Sequence, residues 1–298
     1  MNKNLSKGNS NSLLAQARRL LRQSNLKARK GLGQHFLVDD EVLEVILAAA
    51  GLTPDDTVIE VGPGLGVLTK ELAGQAGWVI AIELDNKLAA VLKKTLAPFE
   101  NVVILNEDIL GTEPATLLQG RAPSFPPELN SYKVVANLPY YITSPVLRHF
   151  LEASVKPEVM IVMVQKEVAE AIVAEPGQRS VLSISVQYYG RPSIVTGVPA
   201  ASFYPRPEVD SAILKIDVYP RPAVEVDEEG FFKLVRAGFT ASRKQVANSL
   251  AQGLSLPKAD ILSLLEKAGI EPQRRAETFT LEEWAQLWRV FHHVEAGK

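Results

Sequence analysis

The chain has 298 residues, 46% of them apolar, which is enough for one large domain and a smaller one beside it. It contains no cysteine, which excludes disulfides, thiolate metal sites and cysteine nucleophiles and agrees with a reducing, cytoplasmic setting. Its four histidines (His35, His149, His292, His293) lack zinc-binding spacing, so no metal is expected. No run of 18 apolar residues occurs, so no membrane span is expected, and the near-neutral balance of 32 basic and 34 acidic residues hides a basic beginning.

Residues 1–30 hold Lys3, Lys7, Arg18, Arg19, Arg22, Lys27, Arg29 and Lys30, and the first acid is Asp39. A basic arm on an acidic body fits a polyanionic partner such as RNA, while a solvated tail and a targeting segment stay open. Within it, residues 13–21 form an amphipathic stretch that would grip phosphates or pack on the body.

From 57 to 219, short β-branched runs alternate with amphipathic stretches. The runs are 57–61, 78–84, 101–105, 132–137, 158–164, 193–198 and 212–218, with helical patterns near 65–75, 86–97, 143–154 and 166–173. Nearly continuous apolar runs are expected of strands buried on both faces, and their alternation with helices predicts a mostly parallel, seven-stranded α/β sheet. A Pro-rich loop spans 120–131. The last two runs, joined through the Pro-studded segment 199–207, suit an antiparallel pair at one edge. After the linker Tyr219-Pro220-Arg221-Pro222 only helical periodicity remains, near 228–241, 243–252, 257–268 and 280–291. The expected organisation is therefore an arm (1–30), an α/β domain (31–219) and a small all-helical domain (220–298).

The sharpest local signal is Glu60-Val61-Gly62-Pro63-Gly64-Leu65-Gly66, between the first strand and its helix. Glycines such as Gly62 and Gly64 let a ligand approach the main chain. Glu83, at the end of the second strand, is placed to accept both hydroxyls of a ribose, and Asp108, after the third, to accept from an adenine amino group. A dinucleotide site would show G-x-G-x-x-G facing a pyrophosphate. Here the spacing is G-x-G-x-G, and Glu60 beside it would repel a pyrophosphate yet suit the ammonium and sulfonium of S-adenosylmethionine. The expected fold is thus the Rossmann-like sheet of class I S-adenosylmethionine-dependent methyltransferases.

Asn137-Leu138-Pro139-Tyr140 ends the fourth strand, at the sheet edge where α/β proteins place ligands. An adenine amino nitrogen is a poor nucleophile, because its lone pair is delocalised into the ring. The Asn137 side-chain oxygen and the Leu138 carbonyl would accept its two hydrogens, Pro139 would stiffen the turn and Tyr140 would stack on the base. Catalysis would then rest on positioning and electrostatics, on a base taken out of its stack. Arg236, Arg243 and Lys244 form an acid-free patch in the helical domain, suited to RNA or simply to solvent.

Together these residues make the chain resemble the KsgA-type rRNA adenine N6-dimethyltransferases from about residue 30 to 281. The resemblance is carried by Gly31-Leu32-Gly33-Gln34-His35-Phe36-Leu37, the glycine loop, Glu83, Asp108, Asn137 to Tyr140, Gln165 to Ala169, Phe203 to Ser211, Ser242-Arg243-Lys244 and Asn248-Ser249-Leu250. It implies that His35 and Leu37 contact the methyl donor mainly through main-chain groups and that Gly62 lines its methionine end. It further implies that Asn137 lies between donor and target and that Phe203 helps sandwich the base. The implied reaction is four methyl transfers to two adjacent adenosines near the 3′ end of small-subunit rRNA in an assembling 30S particle, leaving S-adenosylhomocysteine. A cytoplasmic monomer is expected. Two departures are His35 where the family has asparagine and Ser242 in place of an arginine. Erm-type methylation of large-subunit rRNA and a non-catalytic RNA-binding factor are the alternatives. Against a nicotinamide oxidoreductase stand the loop spacing and the lack of a catalytic His or Tyr-Lys pair.

Overall fold

The computed structural model describes residues 12–29, 31, 33–118 and 131–296. Lys3, Lys7 and Lys30 of the arm, Leu32 of the early motif and nearly all of the Pro-rich loop lie outside the described residues.

All seven strands read from the sequence are present: β2 (Thr57–Val61), β3 (Trp78–Ile82), β4 (Val102–Leu105), β5 (Lys133–Asn137), β6 (Val159–Gln165), β7 (Gly190–Val198) and β9 (Ser211–Val218). They form one sheet in the order β4-β3-β2-β5-β6-β9-β7. Strands β4 to β6 are parallel, with Val61 beside Ile82 and Asn137 beside Met163, so their carboxyl ends meet along one edge. Strand β9 runs antiparallel to β6 and lies inside β7, which takes the sheet edge. Val58, Ile59, Val79, Val134 and Val135 are wholly buried, as strands covered on both faces require.

Helices α3 (Val67–Ala73), α4 (Asn86–Thr95), α6 (Thr143–Leu151) and α7 (Lys166–Ile172) follow their strands as expected, and α5 (Pro114–Leu118) adds a short turn. Two features near the pocket were not expected. Helix α2 (Asp40–Ala50) is capped by the Asp39 carboxylate, which accepts from the Glu41 and Val42 amides, and stops at Gly51 in the left-handed region. A two-stranded ladder joins β1 (Phe36–Leu37) to β8 (Phe203–Tyr204), antiparallel, with Leu37 opposite Phe203.

In the arm, helix α1 (Leu13–Gln23) begins on a Ser12 cap. Ala17 and Leu21 are buried in one cluster with Phe36, Leu65 and Leu88, so this part of the arm packs on the body. The Arg18 guanidinium lies 5.0 Å from the centre of the Tyr204 ring.

The chain divides into two compact units. The sheet unit runs to Ala169 and resumes over Ser193–Val218, while the helical unit takes Glu170–Pro192 and everything from Tyr219. The helical unit therefore includes a segment that the sequence reading gave to the first domain. The reason is aromatic packing: α8 (Val181–Tyr189) carries Tyr188, which stacks on Phe231 at 5.3 Å, and Tyr189, whose hydroxyl donates to Glu228. Helices α9 (Glu228–Gly238), α10 (Val246–Leu254), α11 (Lys258–Lys267) and α12 (Leu281–Ala296) complete it. Among the described residues, no helix is long and apolar enough to cross a membrane.

Candidate active site

The carboxyl ends of four parallel strands open into one pocket. Strand β2 delivers Glu60 and the glycine loop, β3 delivers Glu83, β4 leads to Glu107 and Asp108, and β5 ends in Asn137 to Tyr140. Residues 33–37 close the remaining side. Of the expected ligand-binding residues, His35, Leu37, Gly62, Gly64, Glu83, Asp108, Asn137, Leu138, Pro139 and Tyr140 all line it.

Gly62 and Gly64 have φ of +68° and +59°, where a side chain is strained. A Cβ on Gly64 would also lie 3.0 Å from the Phe36 ring, so a methyl group fits here only if the ring or the loop gives way. The turn presents the Gly64 amide to Glu83 Oε2 at 3.2 Å, while the Asp85 amide donates to Glu83 Oε1 at 2.8 Å. Glu83 is thereby held by main-chain donors on both oxygens. Burial still pushes its carboxyl above the usual range, these two amides opposing the rise. Asn106 ties the next strand end to the same place, donating to the Glu83 carbonyl at 2.8 Å.

Glu60 is only 2% exposed. Burial pushes its carboxyl up to about 8, against the nearby Thr69 hydroxyl and with the Glu83 charge adding to the rise. Its Oε2 finds no hydrogen-bond partner among the described residues. A buried, under-satisfied acid beside a glycine cradle fits a cationic ligand, whose charge would offset the cost of ionising it.

The Asn137 side-chain amide donates to the His35 carbonyl at 2.9 Å. The Leu138 amide is bound to the Met163 carbonyl at 3.1 Å and its side chain is buried, so only its own carbonyl is left for a ligand. Pro139 opens a tight turn in which its carbonyl accepts from the Ile142 amide. The Tyr140 hydroxyl bonds Ser211 Oγ at 2.7 Å, and its ring stacks on His35 with centroids 5.7 Å apart and planes inclined by 23°. Burial raises the Tyr140 hydroxyl pKa, with Asp210 adding and Ser211 opposing, so the group stays protonated. His35 Nδ1 lies 2.7 Å from the Pro205 carbonyl. The histidine that departs from the family pattern therefore fills a defined place, between a main-chain oxygen and an aromatic face.

Asp108 sits at the exposed rim, its Oδ1 accepting from the Leu110 amide at 3.0 Å. Phe203 is not brought to the pocket. It is 4% exposed and packs in the core with Leu37 and Ile213, so in this arrangement its ring offers no face to a base. Tyr141, which the sequence reading passed over, lines the pocket and is 53% exposed. Its signal was an aromatic residue directly after the Asn-Leu-Pro-Tyr motif. In the helical unit Arg236, Arg243 and Lys244 are all exposed, Arg236 in the last turn of α9 and the other two in the turn before α10.

The family model for ribosomal RNA adenine dimethylase matches residues 25–292. A curated protein of Dehalococcoides mccartyi, ribosomal RNA small subunit methyltransferase A, is 54% identical over 94% of this chain and 94% of its own length. Among solved structures, the 23S rRNA methyltransferase ErmE is 30% identical over 86% of this chain and 99% of its own, with a TM-score of 0.66. A dimethyladenosine transferase of Plasmodium falciparum superposes with a TM-score of 0.70 over 87% of this chain and 98% of its own, at 24% identity, and so speaks for the fold.

Proposed function

The chain belongs to the ribosomal RNA adenine dimethylase family, and from this we propose that it dimethylates N6 of two adjacent adenosines near the 3′ end of small-subunit rRNA. The family and the fold imply S-adenosylmethionine as donor. The residues present fit it: Glu60 would face the methionine ammonium, Gly62 and Gly64 would leave room for its main chain, Glu83 would take the ribose hydroxyls and Asp108 the adenine. The bound donor would supply an electrophilic methyl group.

The protein's own part is to present a weak nucleophile. The observation that carries this reading is the Asn137 to His35 bond. With the amide nitrogen committed to His35, the side-chain oxygen is free to accept one adenine N6 hydrogen, and the Leu138 carbonyl accepts the other. Drawing both hydrogens toward acceptors returns lone-pair density to N6 and fixes its direction of attack. Neither acceptor titrates near neutrality, so the proton released after transfer passes to water. The face of Tyr140 turned away from His35 supplies the stacking surface for the base, and exposed Tyr141 lies beside it.

Residues 220–298, with Arg236, Arg243 and Lys244, would hold the rRNA of an assembling 30S particle, by a monomeric cytoplasmic enzyme. The test is transfer of labelled methyl groups to unmethylated ribosomal subunits, with the product nucleoside identified. Dimethyladenosine confined to small-subunit RNA is expected. Label in large-subunit RNA would transfer the assignment to the Erm-type activity, and RNA binding without label would indicate a factor that has lost the reaction.

A further inference from the structure

Arg29 stands outside the pocket, yet through Asp85 it is linked to Glu83 inside it. Its Nε lies 3.2 Å from Asp85 Oδ2, and Asp85 is 5% exposed. Asp85 Oδ1 caps α4 by accepting from the Lys87 and Leu88 amides, at 2.9 and 3.3 Å. The Asp85 amide in turn donates to Glu83 at 2.8 Å. The arm is fixed at this point from two directions. The Arg29 amide donates to Gln34 Oε1 at 2.8 Å, and the preceding helix is docked through Ala17 and Leu21 on Phe36, Leu65 and Leu88.

We propose that Arg29 is a positioning residue for the donor's ribose: by neutralising Asp85 it keeps the adjoining Glu83 carboxylate charged and aligned to accept the ribose hydroxyls. The proposal rests on the donor reading given above. Acidic groups crowd this side of the pocket. Glu83 has Glu60 behind it on β2, Asp85 two residues on, and Glu107 and Asp108 on the β4 side of the same pocket. The other groups near it are the Gly64 and Asp85 amides, Lys87 in the first turn of α4 and His35 on the closing segment. Burial first, and then the like charge of Asp85, raise the Glu83 pKa. Arg29 forms the ion pair with Asp85, from a segment that reaches the sheet unit through α1 rather than through the sheet. An arm that looks like a tail in sequence thus contributes to how the pocket holds its ligand.

The experiment is calorimetric titration of the full-length protein with S-adenosylhomocysteine between pH 5 and 8. Wild type is compared with Arg29→Ala, Arg29→Lys and the double variant Arg29→Ala/Asp85→Asn. In Arg29→Ala, affinity near pH 6 should fall about tenfold, with the acid limb of binding moved up by about one pH unit. At pH 8 the loss should shrink to about twofold, and turnover at saturating donor should be unchanged. Arg29→Lys should restore most of the affinity. The double variant should return the acid limb to its wild-type place, because asparagine keeps the helix cap and removes the charge that needed neutralising. The proposal is overturned by wild-type affinity in Arg29→Ala at every pH. An equal loss at every pH that neither other variant repairs also overturns it, since that marks simple loss of arm packing. If wild type itself fails to bind S-adenosylhomocysteine, the donor reading falls, and this proposal with it.

Discussion

Asn137 Nδ2 and the main-chain oxygen of His35 are 2.9 Å apart across 102 residues of sequence. An amide has one donor end and one acceptor end, so this bond decides which way the group faces. Asn137→Ala should leave donor binding measurable and lower turnover by at least about 100-fold, the scale for losing one preorganised hydrogen-bonding group. Asn137→Asp should do no better, because a carboxylate cannot donate to His35. Donor titration and single-turnover methylation, run on the same preparations, check this; near-normal turnover in Asn137→Ala would remove the residue from the mechanism.

Gly64→Ala places a methyl group 3.0 Å from the Phe36 ring on a residue with φ of +59°. The strain is about 1–2 kcal/mol. Relief would shift the amide that holds Glu83. Donor affinity should fall at least about tenfold while the thermal midpoint drops only a few degrees. An unchanged dissociation constant would show that the loop yields without disturbing the pocket.

Glu60 should give the ligand-free protein a distinctive pH dependence. Its folded carboxyl titrates at about 8 against an ordinary 4.5, so between those values the folded state keeps a proton that the unfolded state has lost. Stability from this group is fully present below about 4.5, falls as pH rises toward 8 and levels off beyond. Glu60→Gln should flatten that slope and stabilise the protein at pH 8 by up to a few kcal/mol. Urea unfolding of both proteins at pH 5 and pH 8 measures it, and parallel losses would place the slope elsewhere.

Arg274 should matter to the helical unit for reasons of shape as well as charge. Its Nη1 and Nη2 reach both Glu283 oxygens, at 2.5 and 3.1 Å, Nη2 also donates to the Thr278 carbonyl at 2.8 Å, and Nε donates to Thr278 Oγ1 at 3.1 Å. The guanidinium lies 4.7 Å from the centre of the Phe279 ring. Arg274→Ala should cost about 2 kcal/mol, and Arg274→Lys should recover little of it, since an ammonium cannot reproduce the planar fork. A thermal midpoint within a degree of wild type in either variant would contradict this.

The parallel strands could be read directly because burial on both faces leaves unbroken runs such as Val58-Ile59 and Val134-Val135. Helix α8 escaped notice for a related reason: its sequence, VLSISVQYY, is β-branched and aromatic, and it is helical through the reciprocal Ser180–Ser183 cap and its burial. Helix α2 has intermediate Val45, Leu47 and Ala49 between its buried positions, which blurs the helical period. In the pocket, residue types at strand ends pointed to Glu83, Asp108 and Asn137. The His35 carbonyl that orients Asn137, and the burial of Phe203, are tertiary facts without a local signature.

The contact of His35 with Pro205 bridges 170 residues, and β1 has no ladder until β8 exists. During synthesis the early strands and the glycine loop emerge long before Pro205 leaves the ribosome. The wall formed by residues 33–37 therefore gains its ladder partner only after the strand-end motifs have all been made, and a chain interrupted before residue 203 would carry those motifs without it.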